Sequence, residues 1–360
     1  MPADKPYPAQ QATIIDMTNK ELYAAFCNQQ PDMPIMMQPW WLEAVCAGKQ
    51  WDVLLFTRSE LNSKPSIFSR QTETDNNQCD QIVAAMPYLL SKRLWYKFII
   101  MPQMTMFGGL WLNEEVQASP DMQQQLAKLA AKRLREMRIA YYYQQFAVGN
   151  PMPHWLGKQR MQVEHRVTYR INNITDIQAL TDSFSKNKKR QLEHAENLSI
   201  DYSMTAEEFY RFHTQCMAER DKRLSYSREF LLVLERKAKR VAQGAIIRIS
   251  QRLPSNEMQT VAAAFVVWDK RYLYYLIPAY LPSAAHTGAS ARLALEAVRL
   301  AKEKGVQFDF EGGNDSEGIA NHYKQFASTP ATYYSVCKLY RPTFALLLAL
   351  NKWKAKLMHY

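Results

Sequence analysis

A chain of 360 residues, 47% of them hydrophobic, is long enough for two ordinary domains, and its composition excludes a collagenous or disordered polymer. Its net charge of +11 is uneven: residues 1–170 hold eighteen Lys/Arg against fifteen Asp/Glu, and residues 171–360 hold twenty-seven against nineteen. A basic second half suits a phosphate-bearing ligand such as a coenzyme, a nucleotide-linked substrate or tRNA, and suits a solvated surface equally.

In chain order, apolar periodicity predicts helices at residues 18–28 and 38–46 and a strand at 51–58. Residues 59–78, SELNSKPSIFSRQTETDNNQ, are polar and unpatterned and read as a loop. A hairpin begins at Gln81, a helix at Asp121 runs into an aromatic strand, residues 151–160 form a connector, and a strand covers 161–172. Helices then fit 177–185, 188–197, 206–220 and 227–242, with a strand at 244–251 and a second hairpin from Gln259. The helix 289–304 leads into the strand 305–310, residues 331–340 close the sheet, and a basic amphipathic helix covers 343–358.

The two hairpins rhyme. QIVAAMPYLLSKRLWYKFI from Gln81 and QTVAAAFVVWDKRYLYYLI from Gln259 align without gaps, 178 residues apart, and each is followed by a long helix and an aromatic strand. The chain is therefore expected to be a duplicated α/β unit, with lobes at 1–170 and 171–342 and a terminal helix at 343–360.

Five scattered cysteines with no C-x-x-C pair argue against a disulfide framework or zinc knuckle. The opening MPADKPYPAQQATIID has no charged-then-apolar pattern, and the longest apolar run, residues 344–350, is far short of a bilayer span, so a cytoplasmic protein without stable membrane insertion is expected. No H-x-x-E-H, G-x-S-x-G or P-loop is present, which leaves metal-dependent, serine-hydrolase and nucleotide-hydrolysis chemistry without support.

Four stretches together resemble the FemAB-like group of the GNAT (general N-acetyltransferase) superfamily: QPWWLEAVC at Gln38, FSKNKKRQLEHAENLSI at Phe184, TGASARLALEAVRLAKEKGVQFDFEGG at Thr287, and HYKQFAS at His322. The likeness spans most of residues 35–340. It implies two tandem GNAT-like domains with mixed central sheets flanked by helices, and transfer of an acyl or aminoacyl group from acyl-CoA or aminoacyl-tRNA to an amine such as a peptidoglycan precursor, without a metal. The chain departs from the pattern at Ala327, where glycine is usual, and at Glu193 and His194, where a basic pair is usual.

Asp309 and Glu311 alternate with Phe308 and Phe310, which would put both acids on one face of a strand. Aminolysis needs a base for the ammonium proton, and a carboxylate in an apolar setting can serve. Glu311, nearer the strand end, is the first candidate. The alternative pairs Asp309 with an arginine and lets Glu311 brace the Gly312–Gly313 turn. Thr287, Gly288, Ala289 and Ser290 open a helix and could hold a coenzyme pyrophosphate, although Ala285 stands where the GNAT pattern has Gln or Arg; a plain helix cap is the other reading. The cationic start of the next candidate helix, with Lys186, Asn187, Lys188, Lys189 and Arg190, could hold a phosphate or be a solvated run, and the resemblance selects Asn187, Lys189 and Arg190 for substrate. Lys324 is the candidate oxyanion stabiliser, and Arg220 and Tyr226 lie where the family builds its acceptor side. A noncatalytic module that recognises a cell-wall precursor, a nucleic acid or a protein partner is the competing expectation.

Overall fold

The computed structural model describes residues 18–62, 82–312, 317–346 and 349. Its first half contains α1 (Asn19–Gln29), α2 (Pro39–Val45), β1 (Gln50–Thr57), α3 (Arg58–Asn62), β2 (Ile82–Arg93), β3 (Tyr96–Ile100), β4 (Trp111–Leu112), α4 (Glu114–Ala118), α5 (Pro120–Glu136), β5 (Tyr141–Phe146), α6 (Met152–Gly157) and β6 (Gln162–Ile171). The second contains α7 (Ile177–Asp182), α8 (Lys186–His194), β7 (Ser199–Asp201), α9 (Ala206–Ala218), α10 (Arg228–Arg240), β8 (Gly244–Arg252), β9 (Met258–Trp268), β10 (Tyr272–Tyr280), α11 (Ala289–Glu303), β11 (Gln307–Asp309), α12 (Glu317–Lys324) and β12 (Thr329–Leu339).

The repeat read from the hairpins is a repeat of topology. β1, β2 and β3 run antiparallel in turn, and α5 returns the chain so that β5 lies parallel to β3. β8, β9 and β10 do the same, and α11 returns the chain so that β11 lies parallel to β10. The sequence supports each step. Thr18 and Thr205 open α1 and α9 with reciprocal capping boxes to Glu21 and Glu208. Residues 261–267 of β9 are buried without a break, as a strand covered on both faces requires, and the Ala/Leu-rich face of α11 supplies one cover.

The halves do not keep separate sheets. β6 follows β5 in the chain but pairs with β11, whereas β12 follows the second unit but pairs with β5. β6 and β12 also pair with each other, from Thr329↔Arg170 to Cys337↔Gln162. The result is one sheet in the order β1-β2-β3-β5-β12-β6-β11-β10-β9-β8-β7, with β4 beside β2. The expectation of two central sheets is corrected to this shared one, and residues 151–160, expected as a connector, contain α6. The start of the first hairpin at Gln81, residues 63–78 of the expected loop, Gly313 and most of the terminal helix lie outside the described residues.

One local feature positions the site. β10 and β11 pair at only three positions, the last being Tyr274↔Asp309. There β11 stops, the β9–β10 register shifts between Tyr274 and Ile277, and β10 runs on to Tyr280. A bulge that bends one strand while its neighbour ends opens a crevice in the middle of the sheet.

Candidate active site

Asp309 stands at the mouth of that crevice and is fully buried. Its carboxylate accepts from the Thr168 hydroxyl at 2.6 Å, Arg170 Nε at 2.7 Å and the Glu311 backbone N–H at 2.8 Å. Arg170 also donates to the Tyr272 hydroxyl at 3.1 Å and stacks 4.0 Å from that ring. With both oxygens engaged by three donors, Asp309 is no free base. It fixes the turn that carries Glu311.

Glu311 lies beyond the strand, at φ +55°, a left-handed conformation that is strained for a side chain with a Cβ. The alternation that put both acids on one face therefore ends at Asp309. The turn is held by the Asp309 bond to its own N–H and by the Thr168 hydroxyl accepting from Gly312 N–H at 3.3 Å. The Glu311 carboxyl has no hydrogen-bond partner among the described residues. Although the residue is only half-buried overall, desolvation of the carboxyl, helped by the Asp309 charge, pushes its pKa well above the carboxylate range.

Tyrosines line the space around it. Tyr323 of α12 stacks on Phe310 with centroids 4.3 Å apart, and burial together with Glu311 pushes its phenol up to about 12. Tyr275 of β10 packs edge-on to Phe310, and the Tyr280 hydroxyl is within electrostatic reach of both Tyr275 and Tyr323. Arg220 stacks 4.8 Å from Tyr280 and donates to its carbonyl at 3.0 Å. Arg220, drawn from the end of α9, is thereby brought to the crevice rim. Tyr226 lies deeper: it is buried, and its hydroxyl is 2.7 Å from His213 Nδ1. Burial and then Arg220 lower His213 to about 4, so the imidazole is neutral at physiological pH.

Lys324, the expected oxyanion cation, is exposed on α12 and forms no ion pair among the described residues. Lys188 of α8 is a buried cation, 2% exposed, its Nζ 2.9 Å from Gln191 Oε1 and 3.2 Å from His322 Nδ1, and 4.8 Å from the Phe326 ring. Desolvation lowers Lys188 to about 8; burial and the Lys188 charge lower His322 to about 4, which makes the ring nitrogen the acceptor. The sequence carried a faint signal for this: Lys188, Gln191, Leu192 and Ala195 share one helical face. Asn187 and Arg190 are exposed, bonded to Gln325 and to each other, and Lys189 donates to the Asp182 carbonyl at 3.1 Å, so these three face away from the buried Lys188.

The profile of the acetyltransferase (GNAT) domain family matches residues 183–325, which contain α8, β8 to β11 and the whole crevice apart from β6. Residues 183–325 are thus similar to an acetyltransferase (GNAT) domain. Among solved structures, FemX is similar with a TM-score of 0.62 at 13% identity, covering 88% of this chain and 96% of that one. A Bacteroides thetaiotaomicron protein of unknown function is similar with a TM-score of 0.52 at 11% identity, covering 89% and 92%. A tandem GNAT protein from the clavulanic acid biosynthesis pathway has a TM-score of 0.49 at 8% identity, covering 89% and 94%. No curated protein sequence matches the chain. The fold is thus similar to that of FemX, and the crevice lies in the second unit, the one that contains the matched residues.

Within that unit the loop expected to cradle a pyrophosphate is sealed. Gly288 has φ +73°, and a Cβ there would meet the Gln191 carbonyl oxygen at 1.9 Å, so its missing side chain lets α8 pack on the loop. Thr287, Gly288 and Ala289 are buried. The Thr287 hydroxyl accepts from Ala289 N–H at 3.2 Å, and Gly288 O accepts from Ala291 N–H at 3.0 Å. Only half-buried Ser290 remains at the surface of the four residues. These residues do not fit a coenzyme pyrophosphate; they are a helix start built for packing.

Two cavities among the described residues are not lined by Glu311. One of about 400 Å³ is bounded by Arg170, Asn172, Asp176, Ser183, Ala327 and Thr329. The other, of about 920 Å³, lies in the first half and is bounded by Asp32, Arg58, Trp111, Asn150 and, from the second half, Arg271. The chemistry is assigned to the crevice, because that is where the strained backbone and the desolvated acid coincide.

Proposed function

We propose that the chain is a cytoplasmic N-acyltransferase in which Glu311 takes the proton from an ammonium acceptor in the crevice beyond Tyr274↔Asp309. The observation that carries this reading is the Glu311 carboxyl: desolvated, without a hydrogen bond among the described residues, and held by Asp309 on a strained turn. A carboxylate raised toward neutrality is matched to removing one proton from an amine. The freed nitrogen attacks the donor carbonyl, the acyl–oxygen or acyl–sulfur bond breaks, and the leaving group departs with the electron pair. The second N–H proton passes to the leaving group or to water. Alignment supplies most of the rate, because an activated ester reacts readily with an amine held at its carbonyl.

Of the two donor classes, the Gly288 loop favours an aminoacyl-tRNA ester over acyl-CoA, since Gly288 is packed on the Gln191 carbonyl and the Ala289 N–H is already bonded to Thr287. The basic second half is compatible with RNA. The fold likeness to FemX makes a cell-wall precursor amine the first acceptor to try. Incubating the full chain with charged tRNA or acetyl-CoA and a panel of amines tests the reading. Amide product from wild type, lost in Glu311→Gln, is expected; product formation at equal rates by both would refute it. A binding module is the second reading, favoured by the Phe310–Tyr323 stack that fills part of the crevice; ligand binding without turnover in wild type would select it.

A further inference from the structure

Hairpin tips are ordinarily made of Asn, Asp and Gly, which accept tight turns and water. The β2–β3 tip is Leu94–Trp95, with Leu94 in a left-handed conformation at φ +53°. The two side chains are 69% and 79% exposed, the latter the greatest exposure of any large apolar residue described. None of the described residues covers them. The same end of the sheet carries the C-terminal segment: Phe344 packs against Tyr96, Phe98 and Tyr141, the Tyr96 hydroxyl donates to Thr343 Oγ1 at 2.7 Å, and Leu346 beyond it is 69% exposed. β5 begins and β12 ends here, at Tyr141↔Leu339, and Leu339 is 40% exposed.

Around these apolar groups the charge is one-sided. Residues 91–97, 135–141 and 338–346 hold seven Lys/Arg against the single acid Glu136. Lys92, Lys97, Arg135, Arg138 and Arg341 are exposed. A projecting tryptophan and leucine ringed by cations is the chemistry of the membrane interface: the indole and aliphatic chains enter the headgroup layer while lysine and arginine meet lipid phosphates. A nucleic acid would use the cations and leave Leu94 and Leu346 without a role.

We infer that this end of the first half docks on an anionic lipid surface, with Leu94 and Trp95 inserted among headgroups. No helix among the described residues is long and apolar enough to cross a membrane, so the contact is peripheral. The test is co-sedimentation of the full chain with phosphatidylcholine vesicles, with and without about one-third phosphatidylglycerol. Binding is expected only to the anionic vesicles, weakened by salt, and reduced ~10-fold or more in Leu94→Asn/Trp95→Ser and in Lys92→Glu/Lys97→Glu. Asn suits the left-handed position, and all four side chains are exposed, so both variants are expected to melt with wild type. Failure of wild type to bind, equal binding to both vesicle types, or wild-type binding by the Leu94/Trp95 variant would overturn the inference. So would loss of RNA affinity in the charge-reversed variant without any vesicle binding.

Discussion

Removing the Asp309 carboxylate separates a brace from a catalyst. In Asp309→Ala, Arg170 keeps its stack and hydrogen bond with Tyr272 but loses its one carboxylate partner among the described residues, in a side chain 9% exposed. Leaving a buried charge unpaired costs about 3–5 kcal/mol. The hydroxyl of Thr168 and the N–H of Glu311 each lose an acceptor, at about 1 kcal/mol each, but the three losses share one site and do not add in full. A net loss of about 4 kcal/mol, spread over an unfolding entropy of about 2.1 cal/mol/K per residue in 360 residues, lowers the melting temperature by about 5 °C. Replacing both partners, as in Asp309→Leu/Arg170→Met, should recover most of it, because an apolar pair needs no desolvation. Thermal melts of wild type, Asp309→Leu, Arg170→Met and the double variant give the coupling, beside Asp309→Ala. A melting temperature for Asp309→Ala within 1 °C of wild type, or a double variant no better than the single, would refute the brace.

Three further outcomes follow from the same geometry. Glu311 has its folded pKa raised, so the native state holds a proton that the unfolded chain releases; stability is full below the ordinary carboxylate range and falls as pH rises through the folded pKa. Glu311→Gln should therefore melt progressively higher than wild type as pH goes from 5 to 8, and a constant gap would contradict the desolvated acid. Lys188 has the opposite sense: with the folded pKa near 8 and the unfolded near 10.5, the unfolded chain binds the extra proton in that window, so stability gains as pH rises from about 8 to 10.5. Lys188→Met should abolish that gain in differential melts, and its persistence would show that the ammonium is hydrated. Gly288→Ala must displace the Gln191 backbone and occupy φ +73°, for a loss of about 3 kcal/mol or more, about 4 °C, without any ligand present; an unchanged melt with a raised donor KM would instead mark a phosphate cradle.

The duplicated unit was legible because hairpin, helix and strand are local patterns, and both copies kept theirs. The exchange of β6 and β12 was not, because a strand's apolar alternation records that it pairs but not with which neighbour. At Asp309 and Glu311 the residue types were readable and the geometry was not. Alternation holds only while the backbone is extended, and the left-handed turn at Glu311 is stabilised by Thr168, 143 residues away in the chain. Gly288 was read as part of a pyrophosphate loop or a helix cap, and what lies against it is the α8 backbone, contributed by a helix about a hundred residues earlier. Lys188 was concealed in a run of cations, where only packing decides which one turns inward.

The most direct test of the account is the pH dependence of kcat/KM for amide formation by the full chain, compared with Glu311→Gln. The account predicts a wild-type rate that rises through a single ionisation well above the carboxylate range and a Glu311→Gln profile that has lost that step along with most of the activity. A Glu311→Gln enzyme that keeps the wild-type rate and the wild-type inflection would contradict it.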